Sequence, residues 1–160
     1  MNPKRQPAHD ATESPDQLHS PEETVTRFLT AMQEGDVETV IALVAEDIVY
    51  SNVSLPTIRG KERFSKGVRS YYRHHLGFEV VVHRIAGSGS SVLTERTDAL
   101  TLGPFRMQFW VCGVFEIENG LITLWRDYFD WRSTTLASLR GLIGIFMPSL
   151  RAKFADGATV

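Results

Sequence analysis

Asp127 stands in the run Leu121–Trp131, LITLWRDYFDW, where a strand-forming stretch carries a carboxylate among aromatics. Strict alternation puts Leu121, Thr123, Trp125, Asp127 and Phe129 on one face of that strand. A carboxylate between Trp125 and Phe129 faces an apolar interior and is costly there unless it is paired. Two local clusters could pair with it. Arg96 and Asp98, in SVLTERTDALTL, are two apart and share a face with Val92, Thr94, Leu100 and Leu102. Tyr50 and Asn52, in DIVYSN, are also two apart. One guanidinium can hold two carboxylates with its fork of donors. Two carboxyls so held in an apolar pocket do not titrate alike, because repulsion and desolvation push one pKa up. That separation is what one acid and one base need. The same residues also suit a structural buried ion triad, and Tyr50 and Asn52 suit an ordinary strand end, so spacing alone leaves both readings open.

Whether Arg96 and Asp127 meet depends on two turns. A tight turn at Gly103-Pro104 pairs Leu102 with Phe105, which sets Arg96 opposite Val111 and Asp98 opposite Phe109. At the next turn, a two-residue Asn119-Gly120 loop sets Asp127 opposite Cys112, on the wrong face. A three-residue loop, Glu118-Asn119-Gly120, pairs Ile117 with Leu121 and sets Asp127 opposite Val111. The three-residue loop is expected, because it puts Arg96, Val111 and Asp127 in one lateral row. It also sorts Phe105, Met107, Phe109, Phe115 and Ile117 inward and Gln108 and Glu116 outward. The inner face then holds Leu100, Phe109, Val111, Trp125 and Phe129 around the charges.

The elements that must position these residues follow from periodicity and caps. Met1–His19 is rich in Pro, Asp, Gln, Ser and His and reads as a disordered tail. Ser20-Pro21-Glu22-Glu23 is a helix start, followed by the stripe Val25, Phe28, Leu29 and Met32. Gly35 ends that helix, and Asp36 caps a second with the stripe Val37, Val40, Ile41 and Val44. A strand is expected over Asp47–Asn52. A third helix is expected over Lys61–His75, with Phe64, Val68, Tyr71 and Tyr72 inward and Gly77 as its stop. Strands follow over Phe78–Ala86, Ser91–Leu102, Phe105–Glu118 and Leu121–Trp131. A last apolar helix covers Ser133–Met147 and stops at Pro148, with residues 149–160 as a tail. Helices segregated from strands indicate one α+β domain over residues 20–148, a curved mixed or antiparallel sheet wrapped around helices.

Composition narrows the function classes. A chain of 160 residues is one domain with a sizeable core. A net charge of -2 gives no electrostatic reason to expect nucleic acid. The lone Cys112 permits no intrachain disulfide, which suits a cytoplasmic location. No apolar run approaches the ~18 residues needed to span a bilayer. No His, Cys and Asp set has metal-ligand spacing, and neither a nucleophile elbow nor a phosphate loop is present. His83, alternating with Val81 and Ile85, is expected to pack in its strand.

The segments TERTDAL (94–100), WVCGVFE (110–116) and ITLWRDYFD (122–130), with the Tyr-x-Asn of Tyr50 and Asn52, resemble the limonene-1,2-epoxide hydrolase family. The resemblance runs from about Ser20 to about Pro148 and is strongest to the mycobacterial branch. It implies the cone-shaped, cystatin-like α+β fold of ketosteroid isomerase, scytalone dehydratase and nuclear transport factor 2. It implies direct addition of water to an epoxide in one step, with a vicinal diol as product, no covalent intermediate and no cofactor. Asp127 would be the general base, Tyr50 and Asn52 would hold the water, and Asp98 would be the acid. Arg96 would bridge the two aspartates. The substrate wall would be Trp125, Phe109, Val111, Leu100 and Phe129, and the partner a second copy in a homodimer.

The match leaves the epoxide open between a terpene, a sterol and a fatty chain. The chain departs from limonene-type members in its loop Val53–Gly60, its shorter Gly103-Pro104 turn and its bulky Phe109 and Trp110. The apolar last helix, with Leu136, Leu139, Leu142, Ile143, Ile145, Phe146 and Met147, closes the cone or packs a dimer. With Arg140, Arg151 and Lys153 it could instead lie weakly on a membrane surface. The rivals are an isomerase, dehydratase or cyclase on the same fold, and a non-catalytic small-molecule-binding dimer. An arginine between two aspartates favours the hydrolase over a carbon-acid isomerase.

Overall fold

Ser20 opens the first helix, α1 (Pro21–Glu34), with a reciprocal cap. Its hydroxyl accepts from the Glu23 N–H at 3.1 Å, and the Glu23 carboxylate accepts from the Ser20 N–H at 2.9 Å. Gly35, with φ 72°, ends the helix in the left-handed conformation that glycine adopts freely. Asp36 then caps α2 (Val37–Ala42) through the Thr39 N–H at 3.1 Å. The computed structural model that shows these elements describes residues 19–53, 55–147 and 149. The expected N-terminal tail, the stop at Pro148, and Arg151 and Lys153 of the C-terminal tail lie outside the described residues.

The second helix is shorter than its apolar stripe, because Val44 already begins β1 (Val44–Asn52). After the two-residue strand β2 (Ile58–Arg59), α3 runs over Lys61–Arg73. It stops at His74, before the expected glycine: His75 takes φ 58°, and Gly77 lies inside β3 (Leu76–Ser88). β4 (Ser91–Leu102) and β5 (Phe105–Glu118) have the expected bounds. β6 ends at Tyr128, and α4 covers Trp131–Phe146. His83 is exposed, not packed: it falls at the β3 irregularity between Val82 and Arg84 and hydrogen-bonds Thr97 Oγ1 at 2.8 Å.

These strands form one six-stranded mixed sheet in the order β2-β1-β6-β5-β4-β3. The pairs β3–β4, β4–β5 and β5–β6 are antiparallel, while β1 runs parallel to β6. The core lies between the sheet and the first three helices. Phe28 of α1 is fully buried and stands edge-on to Phe115 and Trp125, with ring centres 6.3 Å and 5.1 Å away.

The turn between β5 and β6 corrects the expected register. It is the two-residue loop, with Glu118 opposite Leu121 and Ile117 opposite Ile122. Asp127 nevertheless reaches the inner face, because the register shifts after Ile122. Thr123 is the extra residue of a β-bulge, and its hydroxyl donates to the Glu116 carbonyl at 3.2 Å. Ile122, Trp125 and Asp127 are therefore all buried, and Asp127 lies opposite Gly113, not opposite Val111.

The last helix also departs from one expectation. Gly141 faces β5 so closely that a Cβ would stand 2.7 Å from the Arg106 carbonyl oxygen. Leu136, Leu139, Leu142, Ile143, Phe146 and Met147 lie on the other side, between 50% and 86% exposed. They do not fill the cone.

Deleting Thr123 removes the residue that lets Ile122 and Trp125 both point inward. The chain should lose stability on the scale of a large core truncation, about 3–5 kcal/mol. Denaturant unfolding of the deletion against Thr123→Ala, which keeps the bulge, measures it.

Candidate active site

Alternation along β4 turns Val92, Thr94, Arg96 and Asp98 inward, and all four are buried. Arg96 has no exposed surface, so each face of its guanidinium must be satisfied by protein. Its Nε donates to Asp98 at 2.9 Å and 3.1 Å. Its Nη2 donates to Asp127 Oδ2 at 2.5 Å, and its Nη1 to Thr94 Oγ1 at 3.0 Å. The other oxygen of Asp127 accepts from the Trp125 indole N–H at 2.8 Å. Every nitrogen of the fork is used, and both carboxylates are fixed in place.

The parallel strand supplies the remaining polar groups. β1 pairs Tyr50 with Trp125 and Asn52 with Asp127, so both side chains stand beside the second carboxylate. The Asn52 amide donates to the Tyr50 hydroxyl at 2.8 Å. That bond occupies an acceptor site of the phenol and leaves its proton free to donate elsewhere. The Tyr50 ring packs 4.4 Å from Trp125 and 6.0 Å from Phe64.

Asp98, Asp127, Tyr50 and Asn52 all open onto a cavity of about 440 Å³. Trp125, Leu100, Phe109 and Phe129 line its apolar wall as expected, and Met107 and Tyr71 join them. Val111 does not: it is buried behind the wall, opposite Arg96, and is absent from the lining. Arg96 is likewise behind the surface, where it acts on the cavity only through the two aspartates.

Two contributors escaped the sequence. Thr94 stands on the inward face that alternation gives it, and it is also the third partner of the guanidinium. Gly113 carries no chemistry of its own for a motif to mark. A Cβ at Gly113 would overlap Arg96 Nη1 and stand 2.7 Å from Thr94 Oγ1 and 3.0 Å from Asp127 Oδ1. Because Asp127 lies opposite Gly113 and Arg96 opposite Val111, the guanidinium reaches diagonally across β5. The missing side chain makes its path. A glycine within a strand was the available signal, since such a residue often marks a close approach.

Burial pushes the Asp98 carboxyl up to about 6, helped by the nearby Asp127 charge and opposed by Arg96. Burial opposes the charge on Arg96, but the two carboxylates outweigh it and hold the guanidinium ionised. Burial, then the Asp127 charge, holds the Tyr50 hydroxyl protonated. The Tyr71 hydroxyl is pushed up to about 12 by burial and then by Asp98, and it donates to the Gly77 carbonyl at 2.8 Å. Up to about pH 6 the site therefore keeps a protonated carboxyl, Asp98, beside a second carboxyl in an apolar chamber. Among the described residues, no group of three or more His, Cys, Asp and Glu side chains could hold a metal ion.

A family model described as the limonene-1,2-epoxide hydrolase catalytic domain matches residues 19–140. The chain is 52% identical over 128 residues to epoxide hydrolase EphG of Mycobacterium tuberculosis, covering 80% of this chain and 85% of that protein. The solved structure of an M. tuberculosis LEH-like epoxide hydrolase superposes with a TM-score of 0.81 at 49% identity. That match covers 84% of this chain and 95% of the other. A putative ketosteroid isomerase from Kribbella flavida matches at 21% identity with a TM-score of 0.57, over 69% of this chain and 77% of its own. At that distance the likeness is one of fold alone.

Two outcomes follow from this geometry. Gly113→Ala should displace the guanidinium and cost about 1–3 kcal/mol of stability by overpacking, measured by denaturant unfolding. The raised Asp98 pKa means that the folded chain binds this proton more tightly than the unfolded chain. Its contribution to stability is full below about 4 and is lost as pH rises through about 6. Asp98→Asn lacks that term. Its Tm relative to the parent should therefore fall as pH is lowered from 7 to 4 in paired thermal scans.

Proposed function

The chain belongs to the limonene-1,2-epoxide hydrolase family, and we propose that it hydrolyses a lipophilic epoxide by direct addition of water. The observation that carries this reading is one buried guanidinium held between Asp98 and Asp127, both of which open onto the same apolar cavity. Tyr50 donates to the attacking water, and the free oxygen of Asn52 accepts from it. Asp127 takes the water's other proton as its oxygen attacks an epoxide carbon. The carbon–oxygen bond of the ring breaks, and its electron pair stays on the epoxide oxygen, which receives the proton of Asp98. The product is a vicinal diol. Asp127 ends protonated and Asp98 ionised, and one proton transfer between them through solvent restores the site.

Geometry and charge support this assignment of roles. Asp98 holds its proton up to about pH 6 because it is buried, which suits a donor. Asp127 has a guanidinium on one oxygen and an indole on the other, and its neighbour across the parallel pairing is Asn52. An apolar wall of Leu100, Phe109, Trp125 and Phe129 accepts an apolar substrate and keeps bulk water away from the opening ring. No cofactor has a step in this scheme.

The proposal also includes a homodimer and a cytoplasmic location. The exposed apolar side of α4 is larger than a solitary surface residue accounts for, and a second copy would cover it. Sedimentation at micromolar concentration should show two chains, and charged substitutions at Leu139 and Ile143 should return one. Persistent association in that variant would move the interface elsewhere.

Turnover in oxygen-18 water under enzyme excess tests the chemistry. One labelled oxygen should enter the diol in a single turnover, whereas an unlabelled first product would mean that a protein carboxylate had attacked. Asp127→Asn and Asp98→Asn should each lower kcat by roughly 10²–10⁴-fold. The rate should fall about tenfold per pH unit above about 6, as Asp98 loses its proton. A rate that is flat from pH 6 to 8 would remove Asp98 from the acid's role.

A further inference from the structure

The cavity-facing residues of α3 are Phe64, Gly67, Val68, Tyr71 and Tyr72. The first four of these fall at i, i+3, i+4 and i+7, the spacing of one helix face. Only Gly67 presents no side chain. Phe64 and Val68 are buried, yet Gly67 is exposed while it lines the cavity. A Cβ built there meets no atom within 4 Å. The cavity wall is therefore open at this turn of the helix.

The usual reasons for a glycine do not apply. Gly67 is not among the residues with positive φ, it makes no close approach, and it lies in the middle of α3, not at a turn. In a helix interior, glycine is the least favourable residue after proline. α3 also starts without a side-chain cap hydrogen bond, so it has little local stability to spare. Leu55, 45% exposed, lines the same cavity and gives it a second contact with solvent that is apolar.

We propose that Gly67 is a doorway, and that the substrates are epoxides on an apolar chain too long for the cavity. This deepens the hydrolase reading and rests on it. The epoxide ring sits between Asp98 and Asp127, and the distal end of the chain leaves the cavity past Gly67. The cavity volume then limits the reacting end of the molecule and not its length. Any side chain at position 67 narrows the exit without touching the aspartates, Tyr50 or Asn52.

The test measures kcat/KM for short, medium and long straight-chain 1,2-epoxyalkanes in the parent, Gly67→Ala, Gly67→Leu and Lys66→Leu. Lys66 is exposed, pairs with Glu62 at 2.7 Å and lies off the cavity, so it controls for added apolar bulk on α3. Gly67→Ala should raise Tm, because it removes a mid-helix glycine. Gly67→Leu should leave the short epoxide within about twofold of the parent and reduce the longest by roughly tenfold or more. Lys66→Leu should follow the parent at every length. A gain in stability together with a length-selective loss of activity is not what structural damage produces. Equal losses at all lengths, or none, overturn the doorway and leave the hydrolase standing. No diol from any epoxide with the parent overturns the hydrolase reading and this proposal with it.

Discussion

Arg96 is wholly enclosed, and a cation in that setting costs several kcal/mol unless counter-charge and hydrogen bonds balance it. Its surroundings supply both. One guanidinium balances one carboxylate, so the cluster is neutral while a single carboxyl proton stays on it. Burial first, and then the neighbouring Asp127 charge, holds the Asp98 proton up to about 6 against the pull of Arg96. The same balance that makes the buried arginine tolerable also keeps one carboxyl in its acid form. Stability and chemistry therefore rest on one charge count.

The sheet enforces that count through two irregular features. The bulge at Thr123 shifts β6 by one residue and turns Trp125 and Asp127 inward together. Gly113 opens a path for the guanidinium to cross β5 on the diagonal. Neither Thr123 nor Gly113 lines the cavity. The parallel pairing of β1 with β6 then brings Tyr50 and Asn52 alongside, from a strand some 75 residues earlier in the chain. A parallel neighbour of this kind needs a long connection, and here α3 and the meander supply it.

Local signals carried most of the element order. The capping box at Ser20, the Gly35 stop and the turns at Gly103-Pro104 and Asn119-Gly120 depend on neighbouring residues, and each stands where its chemistry puts it. The inward face of Arg96 and Asp98 was also legible, because alternation in β4 is unbroken. Register was harder. An interior carboxylate required Asp127 to face Arg96, and that requirement was sound. The three-residue turn inferred from it was not, because a tight turn followed by a bulge gives the same facing and the two differ only in which residue lies opposite. Val111 does face inward opposite Arg96 as expected, but it is buried behind the charges and stays off the cavity wall. The outward side of α4 could not be read from an apolar pattern that runs nearly all round the helix.

Tyr50, Asn52, Asp98 and Asp127 all belong to strands, while α3 and the β1–α3 loop supply much of the surrounding wall. The reactive groups all lie in the sheet, while the shape-giving groups are divided between the sheet and the helical layer. The sheet's polar set is interlocked, so a change in one member disturbs the rest. Residues on α3 border the chamber without joining that network, and they can vary one at a time. Descendants of such a chain can explore new molecular shapes by drift in the helical layer while the proton-handling layer is held fixed by selection. Diversification within this architecture should therefore begin in α3 and the loop before it, long before it reaches the strands.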